Sequence, residues 1–180
     1  MEQVDQEESM MNLTDFRKEK DDFFAKDPDS PFTSEQKKSF SGLKYYPENR
    51  DLRMELTVQE IPVKEMIKMM TSTGTTQTYQ RFGKIRFKVE NQEVELTIYH
   101  NENGFFLPFV DSLAGRETYP AGRYLEPEMI RDGKFQVDFN LAYNPYCAYN
   151  DQWSCPLTPF ENHLKIPIRA GEKLFHEVEM

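Results

Sequence analysis

The chain has 180 residues, 38% of them apolar, a net charge of −9 and a pI near 4.9. That length suits one domain with a short extension, and fourteen phenylalanines with nine tyrosines supply the core area that a low apolar fraction lacks. The acidity argues against a nucleic-acid or anionic-membrane partner, no apolar run approaches a membrane span, and the start MEQVDQEESM lacks the basic and apolar regions of a secretory signal. A cytoplasmic location with reduced thiols is the expectation.

Residues 1–11 are acidic and patternless and are expected to be disordered, with one β-rich domain over 12–180. From Asn12, the residues Leu13, Phe16, Phe23 and Phe24 fall near one helical face, and Asp27-Pro28 ends the run. Thr33 with Gln36 has the form of a capping box, with Phe40 as apolar contact and Gly42 as stop. One or two short helices over 12–42 would form a lid or brace.

After Tyr45 the period becomes two. Leu52 to Val58, Ile85 to Val89, Val94 to Ile98, Phe135 to Phe139 and Leu164 to Ile168 each alternate apolar with polar positions, as half-buried strands do. Further strands are expected near 66–70, 76–82 and 105–109, with a hairpin turn at Asn91-Gln92 and an edge position at Pro167. The connections are short and no helical pattern intervenes, so the pairing is expected to be antiparallel. The fold class read from this is mainly β: an antiparallel β-barrel or β-sandwich with a short N-terminal helical segment. Long loops gather at the mouth of such a body, where ligands bind.

The segment DFNLAYNPYCAYNDQWSCPLTPFENH, Asp138 to His163, follows no structural period beyond its first residues. It holds both cysteines, the only tryptophan, four asparagines and three prolines. Asn140, Asn144, Asn150 and Asn162 with Tyr143, Tyr146 and Tyr149 suit a sugar, a nucleoside or another polar ring as ligand, and suit equally the task of satisfying an irregular backbone. Cys147 and Cys155, with His163 beyond, do not have the spacing of a structural zinc site, and no metal or cofactor is expected. Their bland reading is as small buried hydrophobes; a nucleophilic Cys147 would need a nearby base. Arg116, Glu117 and Arg123 lie in VDSLAGRETYPAGRYLEP. The arginines can clamp a carboxylate or phosphate, or pair with Glu117 or Asp111. Asp111, Glu117, Asp138 and Glu161 supply carboxylates for acid/base work at a separation that sequence does not give. Thr71-Ser72-Thr73-Gly74 is an anion-binding nest or a simple turn.

The stretches GLKYYPENRDLRMEL, MMTSTGTTQTYQRFGKIRF, FFLPFVDSLAGRETYPAGRYLE and DFNLAYNPYCAYNDQWSCPLTPFENHLKIPIRAGEK resemble an uncharacterised bacterial and archaeal family, domain of unknown function 1684. ETYPAGRYLE together with FNLAYNPYCAYN carries the resemblance. Thr158 departs from it where a second proline is expected, which changes loop stiffness only. The resemblance implies a single-domain protein and no particular activity.

Three functional readings follow. The first is binding of a small polar or anionic ligand between the 111–125 and 138–163 loops, with Arg116, Glu117, Arg123, Asp138, Asn140, Tyr143, Asn144, Cys147, Glu161 and Asn162 as candidate contacts. The second is a hydrolase-type acid/base enzyme using Glu161 or Asp138. The third is a structural or interaction module whose N-terminal helix contacts a partner, as in a homodimer.

Overall fold

The computed structural model describes residues 2–176, with side chains from Leu13 onward. The chain divides into two units, residues 1–43 and 44–180.

The first unit is helical. Helix α1 spans Glu2–Lys26 and starts well before the expected Asn12; of the stretch 1–11, expected to be disordered, the structure describes a helical backbone over residues 2–11 and no side chains. Leu13 and Phe24 are buried, whereas Phe16 is 43% exposed. The helix stops before Asp27-Pro28 as expected, because the residue ahead of proline is driven from helical geometry. Helix α2, Ser34–Ser39, has the expected capping box, with Thr33 accepting from the Gln36 amide and Gln36 accepting from the Thr33 amide. It ends at Phe40, before the expected Gly42. Phe32 bridges Phe24 and Phe40 through edge contacts at 5.1 and 4.9 Å.

The second unit is two antiparallel sheets that do not close into a barrel, so of the two expected architectures the sandwich is the one formed. β1 (Arg53–Thr57), β8 (Glu128–Arg131) and β9 (Lys134–Asp138) make a small sheet in the order β1-β9-β8. β2 (Gln59–Glu60), β4 (Thr76–Val89), β5 (Gln92–Asn101), β6 (Gly104–Phe109) and β7 (Arg123–Leu125) make the larger one in that order, with β3 (Met66–Met70) also on β4. Ile85, Phe87, Leu96, Ile98, Leu107 and Phe109 of the large sheet share one core with Phe135 and Val137 of the small one.

Two local features set which face each residue presents. At the β4–β5 hairpin Val89 pairs Gln92, so the two-residue loop is Glu90-Asn91, one position earlier than expected. Both residues have positive φ, +50° and +65°, the backbone of a type I′ turn, whose twist matches the strands it joins. Farther along, the β4–β5 register shifts between Arg81 and Gly83, leaving Phe82 as the extra residue of a bulge. The bulge reverses the alternation. Tyr79 joins Tyr99, Phe106 and Tyr124 in a second apolar cluster, apart from the main core that holds Ile85 and Phe87.

The alternation over Leu164 to Ile168 does not become a strand. Ile166 and Ile168 are buried in the core as their period demands. The segment instead bonds side by side with β6's continuation: Leu164 N–H to Val110 O at 2.7 Å, and Ser112 N–H to Ile166 O at 3.1 Å. The bridge Val110–His163 runs parallel, unlike every named strand pair.

Pro108 explains why β5 and β6 stop pairing. The register Tyr99–Phe106 would place Thr97 opposite Pro108, which has no N–H to donate. Asn162, fully buried, fills the gap. Its Oδ1 accepts from the Thr97 amide at 2.8 Å, and its Nδ2 donates to the carbonyls of Thr97 and Pro108 at 2.9 and 2.8 Å. The Asn162→Ala variant leaves these backbone groups buried and unpaired. Each unmet group costs about 1–3 kcal/mol, so equilibrium urea unfolding is expected to show a loss of at least about 2 kcal/mol. A loss below about 0.5 kcal/mol would sink this role.

Candidate functional site

The irregular segment after β9 has no ladder partner along most of its length, so side chains must satisfy its backbone. Of the residues singled out in the sequence, Asp138 does this, while Arg116, Arg123, Asn140, Asn144 and Asn162 bond backbone elsewhere. Asp138 accepts from the Asn140 amide at 3.0 Å and pairs with Arg53 at 3.0 Å. Asn140 exchanges two hydrogen bonds with the backbone of Asn49, both at 2.8 Å, as one strand residue does with another. Asn144 donates its amide N–H to the buried Glu172 carboxylate at 3.0 Å and its Nδ2 to the Lys173 carbonyl at 3.0 Å. The other Glu172 oxygen accepts from the Tyr149 hydroxyl.

Arg123 is the largest fully buried side chain. Its Nη1 donates to the carbonyls of Ala170 and Glu172, and its Nη2 to that of Ile168 at 2.8 Å. Asp111 lies 3.6 Å away and itself accepts from the Ile168 amide at 2.8 Å and the Thr118 hydroxyl at 2.7 Å. Burial pulls the guanidinium down from its usual pKa and Asp111 pushes back. The segment reaches these donors because Gly171 has φ +78°, and a Cβ there would lie 2.7 Å from the Ala142 carbonyl. Arg116 is exposed and donates to the Ser112 carbonyl at 3.2 Å, while Glu117 accepts from Tyr46 at 3.1 Å. The two arginines are therefore not brought together as a clamp.

Glu161 takes a bidentate pair from Arg81, at 3.1 and 2.6 Å, and a hydrogen bond from the buried Tyr99 hydroxyl. Burial pushes its carboxyl up, but the Arg81 and Tyr99 hydrogen bonds and the Arg81 charge outweigh it, and the net shift is downward. An acid catalyst needs the opposite shift.

Cys147 and Cys155 are both thiols, the first half-buried and the second buried. The Cys147 amide donates to Cys155 Sγ at 3.3 Å, and the Tyr119 hydroxyl lies 3.6 Å from Cys147 Sγ. Their hydrogen bond makes the pair release one proton early and hold the other: Cys147 falls to about 6 and Cys155 rises. His163 is engaged elsewhere, donating Nε2–H to the Thr158 carbonyl at 3.1 Å. Thr71 to Gly74 is a turn stitched to 153–157: Thr73 meets the Ser154 hydroxyl at 2.6 Å, and the Cys155 amide donates to Ser72 Oγ at 3.1 Å. Among the described residues no cluster of three or more His, Cys, Asp or Glu is placed to hold a metal, and no helix is long and apolar enough to cross a membrane.

A cleft of about 250 Å³ opens over the second aromatic cluster. Tyr79 and Phe106 stack at 5.2 Å, Tyr124 meets Phe106 edge-on at 4.8 Å, and Tyr143 meets Tyr124 at 5.8 Å. Gln77, Asn101, Asn103 and Glu126 form the polar part of the lining. Glu126 accepts from the Tyr143 hydroxyl at 2.5 Å, and Gln77 from that of Tyr79 at 3.1 Å. Burial, then Glu126, holds the Tyr143 phenol above its usual range, so it stays neutral. Of the ten candidate contacts, Tyr143 is the one that lines this cleft. Sequence reasoning passed over Tyr79, Tyr124 and Glu126; the bulge that turns Tyr79 to this cluster leaves no compositional mark.

The Glu161 pairing has a pH signature. A depressed folded-state pKa stabilises above the unfolded value, about 4.3, and that stabilisation is lost as pH falls through the folded pKa. Thermal unfolding at pH 7 and pH 3 is expected to show a larger drop for the native chain than for Glu161→Gln. Equal drops would contradict the pairing.

The family described as "Protein of unknown function (DUF1684)" matches residues 38–173. A solution NMR structure of an uncharacterized protein from Haloarcula marismortui is similar at 36% identity with a TM-score of 0.71, covering 96% of this chain and 99% of that one. No curated protein matches the chain. A match over that span, with a relative so alike over nearly its whole length, shows that the chain belongs to this family of unknown function.

Proposed function

We propose that the protein binds a small, neutral polar ring, of the size and chemistry of a monosaccharide, in the aromatic cleft. One observation carries the reading: aromatic walls are combined there with amides and a carboxylate and, among the described residues, no lysine or arginine. Apolar ring faces pack on Tyr79, Phe106 and Tyr143, while hydroxyls exchange hydrogen bonds with Gln77, Asn101, Asn103 and Glu126. The lining disfavours the anionic alternative, because an anion would meet Glu126 without a counter-charge. The volume of about 250 Å³ lies just below the range of about 300–1,000 Å³ for drug-sized ligands. It suits one ring rather than a nucleotide. The acid/base enzyme reading gains nothing here, since Glu161 and Asp138 each face an arginine and do not line the cleft.

Saturation-transfer NMR with glucose, galactose, choline and inorganic phosphate as separate probes tests this. A neutral sugar is expected to receive saturation, and Glu126→Gln and Asn101→Ala are each expected to weaken it about tenfold, about 1.4 kcal/mol. Neither side chain belongs to the main core, and circular dichroism checks the fold of each variant, since Asn101 also accepts from the Asn103 amide at 2.8 Å. Binding of phosphate alone, or sugar binding indifferent to both variants, would overturn the proposal.

A further inference from the structure

The paired thiols take no part in the cleft reading and are not explained by packing alone. Cys155 is fixed from three sides: its amide on Ser72 Oγ at 3.1 Å, its carbonyl on the Ser72 amide at 2.9 Å, and its sulfur under the Cys147 amide at 3.3 Å. Cys147 is the more exposed of the two and has hydroxyl neighbours in Tyr119 and Ser72.

We propose that Cys147 and Cys155 form a peroxide-reactive dithiol site, in which Cys147 is the sulfur that meets the oxidant and Cys155 resolves the product. The substrate class is a hydroperoxide. The Cys147 thiolate attacks the outer peroxide oxygen, the O–O bond breaks, and the leaving alkoxide or hydroxide takes up a proton, giving Cys147–SOH and an alcohol or water. Cys155 Sγ then attacks the Cys147 sulfur and its proton leaves with the hydroxyl as water, closing a Cys147–Cys155 disulfide. Sulfur has lost two electrons in all and the peroxide has gained them. An external dithiol returns the pair to the reduced state by exchange.

Three physical features support the assignment. The amide contact brings the two residues together without refolding, since they already meet across an irregular segment with no sheet ladder of its own. Exposure divides the roles, because an oxidant reaches half-buried Cys147 before buried Cys155. Burial, then the contact with Cys147, holds the Tyr119 phenol above its usual range. It therefore stays a donor that steadies the Cys147 thiolate, as Cys155 S–H does.

The test uses the intact native chain with hydrogen peroxide as probe, read by intact and peptide mass spectrometry. The expected product is a loss of two hydrogens, mapped to a peptide pair joining Cys147 and Cys155. In Cys155→Ser the reaction is expected to halt at a sulfenic acid on Cys147, trapped by dimedone. Alkylation of Cys147 in the native chain is expected to reach half its full rate near pH 6, where the thiol titrates, against about 8.5 for an unperturbed cysteine; in Tyr119→Phe that midpoint moves up. Thiols that survive peroxide doses sufficient to oxidise free cysteine would overturn the site. So would first modification at Cys155, or oxidation that yields only disulfides between chains. The native-chain readouts do not depend on any variant folding.

Discussion

The second unit depends on one buried guanidinium. Arg123 leaves β7 and spends its donors on the carbonyls of Ile168, Ala170 and Glu172. A backbone that runs through a core without joining a sheet must find partners there or forfeit several kcal/mol. Arginine suits the task because its rigid fork holds several donors at fixed angles. The charge this buries is met by Asp111, which holds the same segment by accepting the Ile168 amide. Removing either partner would leave the other charged and buried, at a cost of about 3–5 kcal/mol.

The asparagines repeat this solution at smaller scale. Asn140 trades donor and acceptor with Asn49 as a strand residue would, and Asn162 supplies the N–H that Pro108 lacks opposite Thr97. A carboxamide is the side chain that best imitates a peptide group, offering an acceptor and two donors in one plane. Concentrating such residues in 138–163 lets this segment supply hydrogen bonds to neighbouring backbone at Asn49, Thr97, Pro108 and Lys173. Glu172, buried under Asn144 and Tyr149, closes the set from the C-terminal side.

This accounts for what could be read from sequence. Alternation is a local property, so the half-buried strands, the α2 capping box and the antiparallel pairing were legible. Leu164 to Ile168 shows the limit: its period reports which side chains enter the core, and Ile166 and Ile168 do, yet period says nothing of hydrogen-bond partners. The density of polar and aromatic residues in 138–163 was equally legible, but it has two physical causes that composition cannot separate. Arg123, Asn140, Asn144 and Asn162 satisfy backbone, while Tyr143 lines a cleft. Pro156 lines it too, and the remaining walls come from β4 to β7 with Asn103 and Glu126, brought together by strand pairing and by a bulge at Phe82. No short window of sequence contains that information.

The cleft and the thiol pair are neighbours by covalent structure. Pro156 lines the cleft and accepts the Tyr124 hydroxyl through its carbonyl, and it follows Cys155 directly. The same stretch is pinned to the β3–β4 turn by the Thr71–Pro156 bridge and the Leu157 amide on the Met70 carbonyl at 2.7 Å. A substitution at 155 or 156 therefore acts on the sulfur chemistry and on a cleft wall at once. Glu126 belongs to the cleft alone and Cys147 to the thiol pair alone. Changes at those two positions separate the roles that the shared backbone joins.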